Sequence, residues 1–138
     1  VFGMYMKEKY PENSVYSYLW KHIPPVYPED LGTPRDPKYT MAFHSSELWF
    51  AFGSLRKGVP PSRPWRDEDF KLADVISSYW TNFMKTGNPN GEGLPFWPES
   101  GDQYGYAELD TEVDGRKAQE DGLDALTLEY VSRVQRLK

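Results

Sequence analysis

At 138 residues the chain is one domain, or one segment of a larger one, and its 38% hydrophobic share is that of a globular protein. A net charge of -5, with acids and bases interspersed, disfavours a nucleic-acid or anionic-membrane partner. The absence of cysteine excludes disulfides, thiolate metal sites and a cysteine nucleophile, and leaves the compartment open between cytoplasmic and exported. No apolar run approaches the roughly 20 residues that span a bilayer, so a soluble chain is expected. The first residue is Val1 rather than Met, with no signal-like apolar stretch after it, so an upstream portion is expected to be missing.

In chain order, residues 1 to 10 read as the tail of a helix stopped by Pro11 and Asn13. Ser14 to Lys21 is rich in β-branched and aromatic residues with apolar groups on both faces, the pattern of a buried strand. A proline-rich stretch from Ile23 to Tyr39 shows no period and reads as an irregular loop. It delivers the chain to His44-Ser45-Ser46-Glu47, followed by the apolar, helix-like run Leu48-Trp49-Phe50-Ala51-Phe52-Gly53. A second loop covers Ser54 to Arg66. Then Leu72, Val75, Ile76, Tyr79, Trp80 and Phe83 recur at three- and four-residue steps and predict a long helix with these side chains on one face. Asp67, Glu68 and Asp69 suit its first turn through the helix dipole, and Gly87 followed by Asn88-Pro89-Asn90-Gly91 ends it.

Leu94 to Pro98 reads as an aromatic loop laid over that helix. Tyr104 to Asp110 alternates as a short strand, with Tyr104, Tyr106 and either Ala107 or Leu109 on one face. Gly115 either breaks this strand or marks a hairpin with residues 116 to 120. Leu123 to Leu137 carries the stripe Leu123, Leu126, Tyr130, Val134 and Leu137 of a terminal amphipathic helix.

The chain has two histidines. His22, at the end of the first strand, reads as solvated or bonded to a loop, and no role is assigned to it. For His44, spacing alone leaves a structural reading ahead of a catalytic one. Trp49, Phe50 and Phe52 read as core at helical spacing, ahead of an acyl pocket. The acids at 67 to 69 are accounted for by the dipole, so no metal site and no cofactor are expected.

Four ordered segments tilt the balance at His44. His44-Ser45-Ser46-Glu47 with the aromatic run to Gly53 resembles the histidine segment of the type-B carboxylesterase and cholinesterase family, serine esterases of α/β-hydrolase fold. Val15 to Tyr18 resembles that family's last core strand before the catalytic histidine. Trp80 to Asn90, with Trp97-Pro98, resembles its Trp-x-x-Phe-x-x-x-Gly-x-Pro-Asn segment, and Tyr106 to Glu112 its late strand. Together they cover about residues 14 to 138.

The resemblance implies an α/β fold: the C-terminal fragment of an α/β-hydrolase with a last core strand, histidine loop, long covering helix, short late strand and terminal helix. Residues 1–138 would be a single segment of that domain, its partner the missing N-terminal portion and its substrate a small carboxylic ester. His44 then matches the catalytic histidine, the base that takes the serine proton and the acid that returns it to the alcohol. Glu47 is a supporting residue that fixes the loop or caps the helix, because the family's triad acid precedes its histidine in the chain. Met41 stands where the family often has glycine, in a backbone conformation a side chain would adopt only with strain.

No Gly-x-Ser-x-Gly elbow and no Gly-Gly oxyanion segment occurs in the sequence, so the isolated chain is expected to be inactive. The strand at 14–21, parted from its neighbour, would be an exposed edge that favours self-association. The alternative to an enzyme is a fragment of a catalytically dead, cholinesterase-like adhesion protein, in which the histidine persists without its serine.

Overall fold

The computed structural model describes residues 2–59, 62–101, 105–117, 129–130 and 133. In chain order these give α1 (Phe2–Lys9), β1 (Tyr18–Trp20), a 3-10 turn (Pro28–Asp30), α2 (Pro37–Thr40), α3 (Leu48–Ala51), α4 (Asp67–Thr86), β2 (Gly105–Leu109) and β3 (Val113–Lys117). The strands form one sheet in the order β1-β2-β3. Ser17 O accepts from Ala107 N while Leu109 O accepts from Lys21 N, so the pairing advances in the same direction and β1 runs parallel to β2. Only three residues join β2 to β3, which makes that pair a hairpin and the sheet mixed. No helix among the described residues is long and apolar enough to cross a membrane.

The chain divides into two compact units. In the unit of residues 1–19, 96–107 and 114–138, Trp97 is 3% exposed, its ring edge-on to Tyr16 and Tyr18, and its indole N–H donates to Ser17 O at 2.9 Å. Buried Ser100 donates its hydroxyl to Gly105 O. Gly115 lies inside β3, so a hairpin forms, but its turn is at 110–112 rather than at the glycine and its second strand is Val113–Lys117 rather than 116 to 120, of which 118–120 lie outside the described residues. The glycine is required by crowding: a Cβ there would come within 2.4 Å of Phe96 O. The expected terminal helix at 123–137 lies outside the described residues apart from Glu129, Tyr130 and Arg133, which are helical.

The other unit comprises residues 20–95 and 108–113. Its spine is α4, with the bounds the apolar spacing predicts. Gly87 ends it with φ 74°, a left-handed conformation that glycine adopts without a Cβ penalty, and its N–H caps Phe83 O. Leu72, Ala73, Ile76 and Tyr79 are buried, each large side chain contributing about 1.5–3 kcal/mol. Phe83, expected on this face, lies in the last turn of the helix and is instead 43% exposed. The Tyr79 hydroxyl donates to Pro95 O at 2.6 Å and ties the start of the following loop to the helix as expected. Burial pushes this phenol up to about 12.

Three expectations need correction. The strand expected at 14–21 contracts to three residues, and Tyr18 and Leu19 are 41% and 50% exposed rather than buried. As the first strand of the order it is an edge, and Val15 O is taken by Ser100 N instead of a ladder partner. The loop from 23 to 39 is locally ordered, because buried Asp36 accepts from Gly32 N and Lys38 N and caps α2. Those two backbone bonds hold its carboxyl below the ordinary range. In β2 the buried face is Gly105, Ala107 and Leu109, the one opposite to half-buried Tyr106; Tyr104 lies outside the described residues.

Candidate active site

His44 sits on a tight turn. Ser46 N–H donates to Phe43 O at 3.1 Å, so His44 and Ser45 are the two central residues. Ser45 has φ 69° and His44 a negative φ, the signature of a type II turn, in which glycine usually takes the third position. The first turn of α3 follows immediately, with Glu47 O accepting from Phe50 N and Ala51 N. His44 is exposed, and its ring has no hydrogen bond or ion pair among the described residues. Both ring nitrogens are thus open to outside partners.

Glu47 occupies the N-cap position of α3, but its side chain makes no capping bond. Its backbone is already helical, with φ -71° and ψ -21°, so the carboxylate is not aimed at the free N–H groups. The residue fastens the turn through its backbone carbonyl, not through the side-chain cap expected from the sequence. Upstream, Met41 has φ 47° and ψ -145°, a conformation almost confined to glycine. The strain expected at this position is present.

The turn is anchored from beneath. Ser46 is fully buried, and its hydroxyl accepts the Trp20 indole N–H at 2.7 Å. Phe50 is fully buried too, with the rings of Trp20, His22 and Trp65 at 5.0, 5.1 and 5.8 Å. Trp49 and Trp65 stand 5.6 Å apart, and Arg63 lies over the Trp49 and Phe43 rings. Phe50 and its neighbours are therefore core, whereas Phe52 is 76% exposed. Beside Trp49 a cleft of about 300 Å³ is lined by Val26, Tyr27, Asp30, Arg35, Ser62 and Arg63. His44 is not part of that lining.

His22 departs most from its expectation. It is 2% exposed, with Nε2 2.7 Å from Asp69 Oδ1 and Nδ1 3.3 Å from Asp110 Oδ1. Asp69 is itself fully buried and accepts from the Arg66 backbone N–H at 2.7 Å and from the Arg66 guanidinium at 3.1 Å. Burial pushes its carboxyl up, but the Arg66 and His22 bonds outweigh burial and hold it below the ordinary range. All three acids lie in the first turn of α4, as the dipole favours, but for buried Asp69 that account omits its bonds to Arg66 and His22. Of the two readings of His22, solvation fails and the bond to a loop holds in part, through Asp110 in the β2–β3 turn, while the closer partner, Asp69, lies 47 residues away on α4. The signal for Asp69 was its place three residues after Arg66, the spacing at which a side chain reaches back to the N-cap N–H. Nothing local marked His22. Among the described residues, no three His, Asp or Glu side chains converge in a way that could hold a metal ion.

The model of the carboxylesterase family matches residues 3–126. Mouse (Mus musculus) acylcarnitine hydrolase is 34% identical over 125 residues, which are 90% of this chain and 21% of the relative. Carboxylesterase 5A of Canis lupus familiaris is 37% identical over 77% of this chain and 18% of its own length. Among solved structures, a thermophilic PNB esterase superposes with a TM-score of 0.57 at 32% identity, covering 78% of this chain and 20% of its own. The Geobacillus stearothermophilus carboxylesterase gives the same TM-score at 25% identity. These solved neighbours are α/β-hydrolase carboxylesterases, and the mixed sheet with its helices is part of that fold. The chain thus spans about a fifth of the length of the relatives it matches.

Proposed function

The chain belongs to the carboxylesterase family, and on that premise we propose that it is the C-terminal segment of a serine carboxylic-ester hydrolase in which His44 is the general base and then the general acid. The observation that carries this reading is the setting of His44: a solvent-exposed imidazole on a turn fixed at both ends, its nitrogens unengaged among the described residues. An imidazole suits the task because it both accepts and donates a proton near neutrality.

In the first half-reaction the nucleophilic serine Oγ attacks the ester carbonyl carbon while His44 takes its proton. The bond from acyl carbon to alkoxy oxygen then breaks, and the protonated ring passes the proton to the departing alcohol. In the second half, water attacks the acyl-enzyme, its proton goes to His44 and from there back to the serine oxygen, and the acid leaves. The serine, the triad acid and the oxyanion N–H groups belong to the remainder of the same hydrolase domain, of which residues 1–138 form one segment. Glu47 supports the turn and is not the triad acid. The 138 residues alone are inactive, since they contain no Gly-x-Ser-x-Gly elbow.

Hydrolysis of a chromogenic aryl ester by the longer chain, by its His44→Ala variant and by the 138-residue piece tests this. The expected result is an active parent, a loss of at least about a hundredfold in the variant, and an inert piece. An active parent indifferent to His44→Ala overturns the assignment, and a parent inert with its elbow serine absent turns the reading to a binding protein of the same fold. The edge position and exposed Tyr18 and Leu19 of β1 further support self-association of the isolated segment. Size-exclusion chromatography across a concentration series is expected to show a dimer or larger species; a monomer throughout removes this expectation.

A further inference from the structure

We infer that His22 is a positioning residue for His44, an inference that rests on the catalytic reading of His44 above. His22 never reaches the exposed turn. It acts through two neighbours, each of which meets the turn directly.

The first route runs through Trp20. The His22 and Trp20 rings are 5.8 Å apart, and the Trp20 indole N–H is committed to Ser46 Oγ. Ser46 is the residue whose backbone N–H closes the His44 turn on Phe43 O. The second route runs through Phe50, 5.1 Å from the His22 ring and bonded through its N–H to Glu47 O at the end of the same turn. Both sides of the turn therefore rest on side chains that pack on one imidazole.

That imidazole is unusually well fixed. Ionised carboxylates only accept hydrogen bonds, so the ring donates from Nε2 to Asp69 Oδ1 at 2.7 Å, while Asp110 Oδ1 faces Nδ1 at 3.3 Å. Asp69 is in turn oriented by three bonds from Arg66. An aromatic cluster alone permits its rings to slide, whereas a ring held at two nitrogens by directional bonds does not. The ionic group thus gives the base of the turn a single arrangement. Displacement of a catalytic group by about 1 Å can cost about a hundredfold in rate.

The test uses the longer active chain, with kcat expressed per active site titrated by a serine-directed phosphonate, so that an unfolded fraction does not count. His22→Leu is expected to lower kcat about 10- to 100-fold with KM within about twofold. His22→Gln, which returns one donor toward Asp69, is expected to recover a large part of that loss. Ser46→Ala is expected to lower kcat on its own, and His22→Leu combined with Ser46→Ala to lose less than the product of the two, because both act through one path. Unchanged kcat per site in His22→Leu, alongside an inactive His44→Ala, overturns the positioning role and leaves the catalytic reading standing. Full activity in His44→Ala removes both. Should His22→Leu fail to fold, Trp20→Phe, which removes the indole N–H to Ser46 and keeps a smaller aromatic ring between His22 and Phe50, carries the test: a drop in kcat supports the role, and an unchanged kcat overturns it.

Discussion

His22 and His44 belong to the same unit of the molecule and occupy opposite settings. One ring is 2% exposed with a carboxylate on each nitrogen; the other is exposed on a turn with no ring partner among the described residues. A histidine that shuttles protons needs a nitrogen free to gain and lose one, and a ring locked between two acceptors has none to spare. Burial and partners tie His22 to the fold, while exposure on a rigid turn leaves His44 the accessible ring that the proposed proton shuttle requires.

The largest effect that would sharpen this contrast is on stability. Asp69→Ala leaves His22 and Arg66 without their shared carboxylate and is expected to cost about 3–5 kcal/mol, while His44→Ala changes stability by no more than about 0.5 kcal/mol. Urea unfolding of both variants decides it, and equal losses would erase the distinction between the two settings. The acid limb of stability comes next. Because the folded-state carboxyl of Asp69 titrates below its ordinary 3.8, the unfolded chain takes up the proton first as pH falls. Its contribution is whole above about pH 4 and is lost as pH drops through the lower folded-state value. Melting temperatures of the wild type and Asp69→Asn should therefore converge as the pH is taken below about 4; a constant gap would assign the stabilisation to packing instead of charge. The smallest effect concerns the approach to the turn. Met41→Gly relieves a conformation with φ 47° and is expected to gain about 1 kcal/mol in thermal unfolding. A loss would mean that the Met41 side chain contributes more than its backbone costs.

The parts of this architecture legible in the sequence are those governed by local rules. The limits of α4 followed from apolar spacing and from Gly87, whereas the strain at Met41 was expected only from the resemblance, which often has glycine at that position. The hairpin at β2–β3 was legible only as one of two options, because Gly115 signals either a break or a hairpin, and the Phe96 O that requires a glycine inside β3 is distant in sequence. The pairing of His22 with Asp69 was hidden for the same reason. A histidine after a strand and an acid in the first turn of a helix each have a sufficient local explanation, and only the fold joins them across 47 residues. The turn around His44 was legible as a place but not as a geometry, since Ser45 gives no hint of its positive φ.

The aromatic block beneath the turn has an optical consequence. Trp49 and Trp65, with ring centroids 5.6 Å apart and planes inclined at 66°, are close enough for their excited states to mix rather than absorb as independent indoles. Such a pair gives the far-ultraviolet dichroism a paired positive and negative band that vanishes when either ring moves away. Trp20, hydrogen-bonded to Ser46, adds an emission whose colour depends on that one bond. The protein thus carries a native spectroscopic gauge of the packing beneath its histidine turn, readable without label or substrate.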